Sequence, residues 1–445
     1  MQKVTSNVSV FTYGTLGSTT GVSHQVYLGQ TGGKGEGMVL HPRAAPYIAQ
    51  DNHSYTDLSL MRHAVKKTAS YSIFDPAMKP RCVAVVGDGT AGHVYPALAI
   101  AEAYKQTRAD VDLLFIGIPD GFAARLVTSH GYRLALVQGG PLFGVGVTGK
   151  LQTLWRLGLG VLQARRILRA AATQLVVGVG GYASAAALLA AKSLGLSTAI
   201  HEANTVPGLA NKLLGRFVDR VYLGFAAAGE AFPADRQLVT GNPLRPEVVA
   251  LGSEQRTAPH GADRSIHILI TGGSLGAPFL NQQIPELLKQ VADRGLPLEV
   301  RHQVGGFDPS PVRAAYAHAR VPASVVPYID DMTDAYRWAD FAIARAGAGT
   351  IAELAVSGLP ALLVPLPHAP GNHQVANALA FTNTGGGWCV QETDWRVEAI
   401  AERLITLFSN ATAWTAASQS ARRFATPEAA RAIVADCEAL LSRPC

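Results

Sequence analysis

Charge is sparse in this chain: Asp, Glu, Lys and Arg make up 16% of its 445 residues. Aromatic residues are scarcer still at 7%, and nowhere do they interleave with a basic run. That excludes the stacking platform of a single-strand nucleic-acid binder. The net charge of +6 is left to other anionic partners: a nucleotide, a pyrophosphate or an acidic lipid. Cysteine is nearly absent. Cys82, Cys389, Cys437 and Cys445 form no Cys-x-x-Cys pair, and no histidine stands at zinc-ligand spacing from them. A disulfide scaffold and a zinc ribbon are excluded, and the thiols read as free groups in a reducing compartment. No apolar run suits a transmembrane helix; Ala183–Ala191 comes nearest, and Lys192 interrupts it. The opening MQKVTSNVSVFTYGTLGS lacks the basic start and apolar stretch of a signal peptide. The expectation is a cytosolic protein, at most peripheral on a membrane.

What is present is apolar residues, at 48%, together with 45 glycines. Residues 1–79 stand apart, rich in Ser, Thr, Gly and His with weak periodicity, and read as a poorly ordered extension. At Arg81 the character changes. Cys82–Gly87 is a β-branched run ending in glycine, the mark of a buried parallel strand. Helix-like segments (Pro96–Tyr104, Gly121–His130, Leu151–Arg169, Ser184–Leu194, Pro207–Phe217) then alternate with strand-like ones (Val111–Gly117, Leu134–Val137, Leu175–Val179, Ser197–Ile200, Arg220–Leu223). After Thr240–Pro246 and a polar stretch, a second series begins with Ile266–Thr271. Strands follow at Leu298–Gln303, Ser324–Pro327, Phe341–Ala344 and Ala361–Val364, with helices finishing the chain from about Gln374. Alternation of this kind specifies α/β architecture with parallel sheets. The reading is two Rossmann-like domains, 80–245 and 246–445, facing a cleft, with the last helix a candidate to return to the first domain.

Glycine-rich turns punctuate the strand ends. Gly87-Asp-Gly-Thr-Ala-Gly92 is a GxGxxG between strand and helix, where close backbone approach lets phosphate reach helix amides. A dehydrogenase would also need an acidic residue ending the second strand. Here Phe115-Ile-Gly-Ile-Pro119 stands, with Asp120 the only nearby candidate. Gly178–Tyr182 and Gly272–Gly276 are further turns of this kind, and three together point to phosphate or sugar chemistry. His93 follows the first turn at the mouth of the expected cleft. Imidazole, with an ordinary pKa of about 6.5, suits a general base. Arg345-Ala-Gly-Ala-Gly-Thr-Ile-Ala-Glu353 presents amides and a hydroxyl to a diphosphate, with Glu353 positioned either to bond ribose hydroxyls or to cap the helix. Gln374 and Asn377 share a helical face, available to sugar hydroxyls or to the loop backbone. Asp110-Val-Asp112 reads as a surface turn rather than a metal site, and no metal or cofactor is expected. The segment from Gly149, through Lys150, Leu151, Leu154, Trp155 and Arg156 to Arg169, mixes apolar, Trp and basic residues. It reads either as an interfacial helix drawn to anionic lipid or as an ordinary amphipathic helix packed on the sheet.

Together these segments resemble glycosyltransferase family 28, of GT-B fold, in family order over about residues 82–440. The pieces are Gly89–Pro96, Gly180–Tyr182, His201–Asn204 with Gly208–Asn211, Gly241–Pro243, Gly272–Ala277, Tyr328–Met332, Arg345–Glu353 and Gln374–Asn377. The resemblance implies inverting transfer of N-acetylglucosamine from UDP-N-acetylglucosamine to the MurNAc 4-hydroxyl of lipid I on the cytoplasmic face of the inner membrane. It implies His93 as the base. Thr90, Ala91, Gly92, Gly180, Gly181, Tyr182, His201 and Glu202 would lie on the acceptor side. Asn204, Arg245, Gly273, Ser274, Ile329 (through its backbone, at the uracil edge), Ala348, Gly349, Thr350, Glu353, Gln374 and Asn377 would lie on the donor side. Asp88 departs from the consecutive glycines usual in the first turn, and the loop His368–Asn372 lacks the acidic residues usual there. The competing readings are a family transferase with another lipid-linked or soluble acceptor, and a non-catalytic nucleotide-sugar-binding protein.

Overall fold

The computed structural model describes residues 81–89, 91–108, 110–119, 121–140, 147–259 and 264–442, without the side chains of residues 121, 122 and 147–151. The expected extension 1–79, Thr90, Asp120 and Cys445 lie outside the described residues, as do the side chains of Lys150 and Leu151.

The first half is a seven-stranded sheet in the order β3-β2-β1-β4-β5-β6-β7. Its strands are β1 (Arg81–Val86), β2 (Val111–Gly117), β3 (Arg133–Leu136), β4 (Thr173–Gly178), β5 (Ser197–Glu202), β6 (Arg220–Leu223) and β7 (Gln237–Val239). All neighbours pair in parallel. Helices α1 (Ala91–Thr107), α2 (Gly121–Ser129), α3 (Val147–Ala170), α4 (Tyr182–Ser193) and α5 (Leu209–Leu214) make the crossovers. Central strands are covered on both faces, so they are apolar throughout: Cys82 to Val86 are all buried.

The second half is a six-stranded parallel sheet in the order β10-β9-β8-β11-β12-β13. It comprises β8 (Ile266–Thr271), β9 (Leu298–Gln303), β10 (Ala323–Val326), β11 (Phe341–Ala344), β12 (Ala361–Leu363) and β13 (Gly387–Cys389). Its helices are α6 (Pro246–Ala250), α7 (Pro278–Asp293), α8 (Ser310–Ala319), α9 (Met332–Trp338), α10 (Ala348–Ser357), α11 (His373–Thr382), α12 (Val397–Phe408), α13 (Ala411–Arg423) and α14 (Ala429–Leu441).

Several boundaries differ from the sequence reading. Helix α1 begins at Ala91 rather than Pro96, because proline forfeits only one backbone bond near a helix start; His93 therefore lies in its first turn. The helix read over Pro207–Phe217 contracts to α5, since the Gly208 amide is held by Glu202 instead. Strands β7 and β13 and helix α8 were not read: the strands are three residues each, too short for alternation to register.

Strand order reverses in each sheet between the first strand and the one on its other side: β1/β4, then β8/β11. Ligands of open α/β sheets bind at that point, beyond the carboxyl ends of the strands. Four glycine-containing segments occupy those ends: Gly87–Gly89 after β1, Val179–Gly181 after β4, Gly272–Gly276 after β8 and Arg345–Gly347 after β11.

Helix α14 closes the core of the first sheet although it follows the second in sequence. Ile433, Val434 and Cys437 pack with Val83, Tyr104 and Tyr222. At its edge Arg220 Nε meets Asp436 at 2.7 Å, and Arg81 and Arg108 both reach Glu438. Ile433 is fully buried. Ile433→Ala is expected to cost about 2–5 kcal/mol through lost burial and the cavity left, read as a lower denaturation midpoint; a change under about 0.5 kcal/mol would count against this packing.

Candidate active site

At the first switch point, Asp88 is completely buried between the turns after β1 and β4. Its carboxylate accepts the Tyr182 amide at 2.9 Å and the Ala183 amide at 2.8 Å. These are orphan donors of the α4 N-terminus, which has no cap from its own chain neighbours. The aspartate that departs from the family pattern is therefore turned into a helix end. Gly181 must be glycine, with φ of 86°, because a Cβ there would collide with Asp88 Oδ1. The backbone carbonyl of Asp88 lies 3.1 Å from His93 Nδ1. A carbonyl can only accept, so Nδ1 carries a proton and Nε2 is the ring nitrogen left to exchange one. The His93 ring rests on Gly180, where a Cβ would come within 2.5 Å of its Cδ2.

Beyond β5 the loop is built around Glu202, which is 2% exposed. Its carboxylate accepts the amides of Asn204 (2.9 Å) and Gly208 (3.1 Å) and Asn211 Nδ2 (2.9 Å). His201 is fully buried, with Nε2 3.2 Å from the Gly241 carbonyl. Burial pushes its imidazole down to about 4. Both residues were expected to line the cleft; both are buried at the carboxyl end of β5, where Glu202 organises the loop that follows.

In the second half, α10 starts at a glycine turn without a side-chain cap. Gln374 steadies the approach to it, its Oε1 accepting the Ala346 amide at 3.2 Å and the Leu366 amide at 2.9 Å. Arg345, 7% exposed, donates to the carbonyls of Val364 and Pro365 and to Glu392. The amides of Gly347, Ala348, Gly349 and Thr350 make no hydrogen bond among the described residues, so this helix end is open to an anion where that of α4 is occupied. Gln303, buried at the end of β9, binds the Gly273 carbonyl at 2.9 Å and the Ile329 amide at 2.9 Å. The Ile329 backbone, expected at the uracil edge, has its N–H taken by Gln303, while Ser274 beside Gly273 is exposed.

The halves meet through these loops. Asn377, fully buried, accepts the Thr205 amide at 2.8 Å and donates to Asn204 Oδ1 at 3.0 Å. The sequence reading set Asn377 against a sugar; here its amide joins one half to the other because α11 and the loop after β5 pack face to face. Arg245 lies 3.7 Å from Glu353 and 3.4 Å from Glu247, and stacks its guanidinium on Tyr95 at 4.7 Å. The Tyr95 hydroxyl meets that of Tyr328 at 3.3 Å. Glu353 also accepts the Tyr336 hydroxyl at 2.8 Å. Burial raises the Glu353 carboxyl, with Arg245 pulling the other way. A separate hollow of about 300 Å³ between the halves is lined by Phe225, Asn242, Ala352, Ala380 and Phe424 and contains none of the expected site residues.

The structure therefore pairs Asn204 with Asn377 and Arg245 with Glu353, and places His93, Gly180, Gly181 and Tyr182 around one turn. Gly92 and Tyr182 are exposed there and Ala91 is half-buried. Gln303, Tyr95 and Tyr336 were missed by the sequence reading. A polar residue ending a buried strand was the one signal for Gln303. On helix α3, Thr153, Gly160, Ala164 and Leu168 are buried, whereas Leu154 and Trp155 are 60% and 70% exposed and Arg156, Leu162, Arg166 and Arg169 share the open side. No helix among the described residues is long and apolar enough to cross a membrane.

Two doubly covered parallel sheets with paired switch-point turns are the architecture of a GT-B glycosyltransferase. Residues 83–223 match the glycosyltransferase family 28 N-terminal domain, and residues 267–433 the family 28 C-terminal domain. The chain is 38% identical to the UDP-N-acetylglucosamine–N-acetylmuramyl-(pentapeptide) pyrophosphoryl-undecaprenol N-acetylglucosamine transferase of Geobacter metallireducens, across 79% of this chain and 96% of the relative. It is 40% identical to the protein of the same name from Chromohalobacter salexigens, across 80% and 96%. The crystal structure of MurG from Acinetobacter baumannii superposes with a TM-score of 0.65 at 30% identity, covering 81% of this chain and all of that one. The chain belongs to glycosyltransferase family 28.

Buried neutral His201 has a consequence for stability. Its folded pKa is about 4 against about 6.5 when unfolded, so the unfolded state binds the extra proton between those values. Its contribution is complete above about pH 6.5 and is lost as pH falls towards 4. Stability attributable to this group should fall by about 2 kcal/mol between pH 7 and 5. Urea denaturation of wild type and His201→Gln at both pH values checks this; equal losses in the two proteins would refute it.

Proposed function

We propose that the chain transfers N-acetylglucosamine from UDP-N-acetylglucosamine to the MurNAc 4-hydroxyl of lipid I, forming lipid II with inversion at the anomeric carbon. The near-complete coverage of relatives bearing that activity in their names supports the reading. The observation that carries it is a pairing between halves. Helix α1, which carries His93 in its first turn, packs against helix α10, whose N-terminal amides are open.

In the proposed reaction the acceptor oxygen attacks the anomeric carbon as the bond to the UDP oxygen breaks. Nε2 of His93 takes the hydroxyl proton, and the Nδ1–H bond to the Asp88 carbonyl steadies the imidazolium. The amides of Gly347–Thr350 stabilise the charge on the departing diphosphate. Glu353 accepts the ribose hydroxyls, held by Tyr336 and Arg245. Gly273 and Ser274 approach the phosphates, and the Ile329 backbone, its amide committed to Gln303, offers its carbonyl to uracil. Asn204, Gln374 and Asn377 shape the sugar subsite, Gln374 with an Nε2 that is unbonded among the described residues. Gly92, Gly180 and Tyr182 border the acceptor. The exposed Leu154, Trp155 and Leu162 beside Arg156, Arg166 and Arg169 suit the cytoplasmic surface of an anionic membrane, where a lipid-linked acceptor resides. Asp88, buried and facing α4, gives no ground for a different acceptor.

Incubation with UDP-N-acetylglucosamine and a lipid I analogue should yield UDP and disaccharide product together. His93→Ala is expected to slow kcat about 10²–10⁴-fold while UDP still raises the melting temperature. Glu353→Gln is expected to raise KM for the donor about tenfold or more with a smaller effect on kcat, reflecting a lost charge-assisted bond. Donor stabilisation without product would retain the donor site and reject lipid I as acceptor.

A further inference from the structure

The first glycine turn carries a residue that the reaction scheme uses only through its backbone. Both carboxylate oxygens of Asp88 bond the start of a neighbouring helix. Its carboxylate bonds Tyr182 N and Ala183 N across the β1–β4 pair, and its carbonyl bonds His93 Nδ1. The turn so fastened includes Gly180, on whose Cα the His93 ring rests. The imidazole is thereby held from two directions by one residue. The carbonyl fixes the tautomer and one ring edge; the carboxylate fixes the surface under the ring. A carboxylate at the α4 N-terminus is also favoured by the helix dipole, and it occupies the amides an anionic substrate would otherwise contact. Gly181 makes the arrangement possible, because no side chain fits between it and Asp88.

We propose that Asp88 is a positioning residue for His93: its carboxylate locks the Gly180–Tyr182 turn, and that turn sets where Nε2 meets the acceptor hydroxyl. This rests on the reading of His93 as the base.

The test is a double-mutant cycle on the full-length protein with Asp88→Asn and His93→Ala, assayed with UDP-N-acetylglucosamine and a lipid I analogue. Asparagine keeps the shape but turns an NH2 group towards a backbone N–H. Asp88→Asn alone is expected to lower kcat about 10–100-fold, the scale of a small misplacement of a reacting group. KM for the donor should stay unchanged, since the Asp88 carboxylate bonds the Tyr182 and Ala183 amides and none of the residues assigned to the donor. In the His93→Ala background the same substitution should have little further effect, because its target is gone. UDP-induced thermal stabilisation equal to wild type confirms folding; should Asp88→Asn not fold, Asp88→Gly carries the same cycle. Full wild-type kcat in Asp88→Asn, or an equal penalty in both backgrounds, overturns the positioning role while leaving the base intact. A fully active His93→Ala removes the base and this proposal together.

Discussion

A parallel sheet wound outward from its centre has two adjacent strands whose onward connections leave to opposite faces. The crevice between those connections cannot be filled by either helix, and both sheets of this chain have one, at β1/β4 and at β8/β11. Every site feature follows from that constraint. Turns at the crevice must be tight, which demands glycine at Gly181 and Gly273 with positive φ. Helix ends must point into it, leaving unpaired amides there. Side chains that reach it come from strand ends, where the chain is held most firmly.

Those unpaired amides are treated in two ways. At α4 they are satisfied by Asp88, and the carboxylate makes the turn a rigid wall. At α10 they are left open, and the rigidity comes from around them: Gln374 and Arg345 hold the flanking backbone by carbonyl and guanidinium contacts. Glu202 and Gln303 do the same for their loops. Buried polar side chains, each bonded to backbone, replace the ladder hydrogen bonds that a loop lacks. The one amide pair shared by both halves, Asn204 with Asn377, extends that scheme to the seam between them.

This division explains what could be read in advance. The alternation of buried strands and helices and the glycine turns are local patterns, so the α/β class and the family followed from residue order alone. So did the position of His93 after a turn. The partners of polar residues are not local. His201 and Asn377 have the composition of a binding surface, yet their partners come from distant segments: Gly241, 40 residues on, for His201, and Asn204, 173 residues back, for Asn377. Asp88 looked misplaced beside phosphate because Tyr182 and Ala183, far along the chain, could not be seen to lie beneath it. Strands β7 and β13 escaped notice for a simpler reason: three residues carry no period.

Helix α14 has a consequence for how the chain is made. Synthesis completes the first sheet at Val239, well before residues 429–441 leave the ribosome. Until then the patch formed by Val83, Tyr104 and Tyr222 has no cover, and the N-terminal half cannot finish folding vectorially. The nascent chain carries an exposed apolar face throughout the translation of its second half, which makes it a natural client for chaperones that shield such faces. It also makes a message truncated at the start of that helix yield a protein with an intact donor half and an unsealed partner.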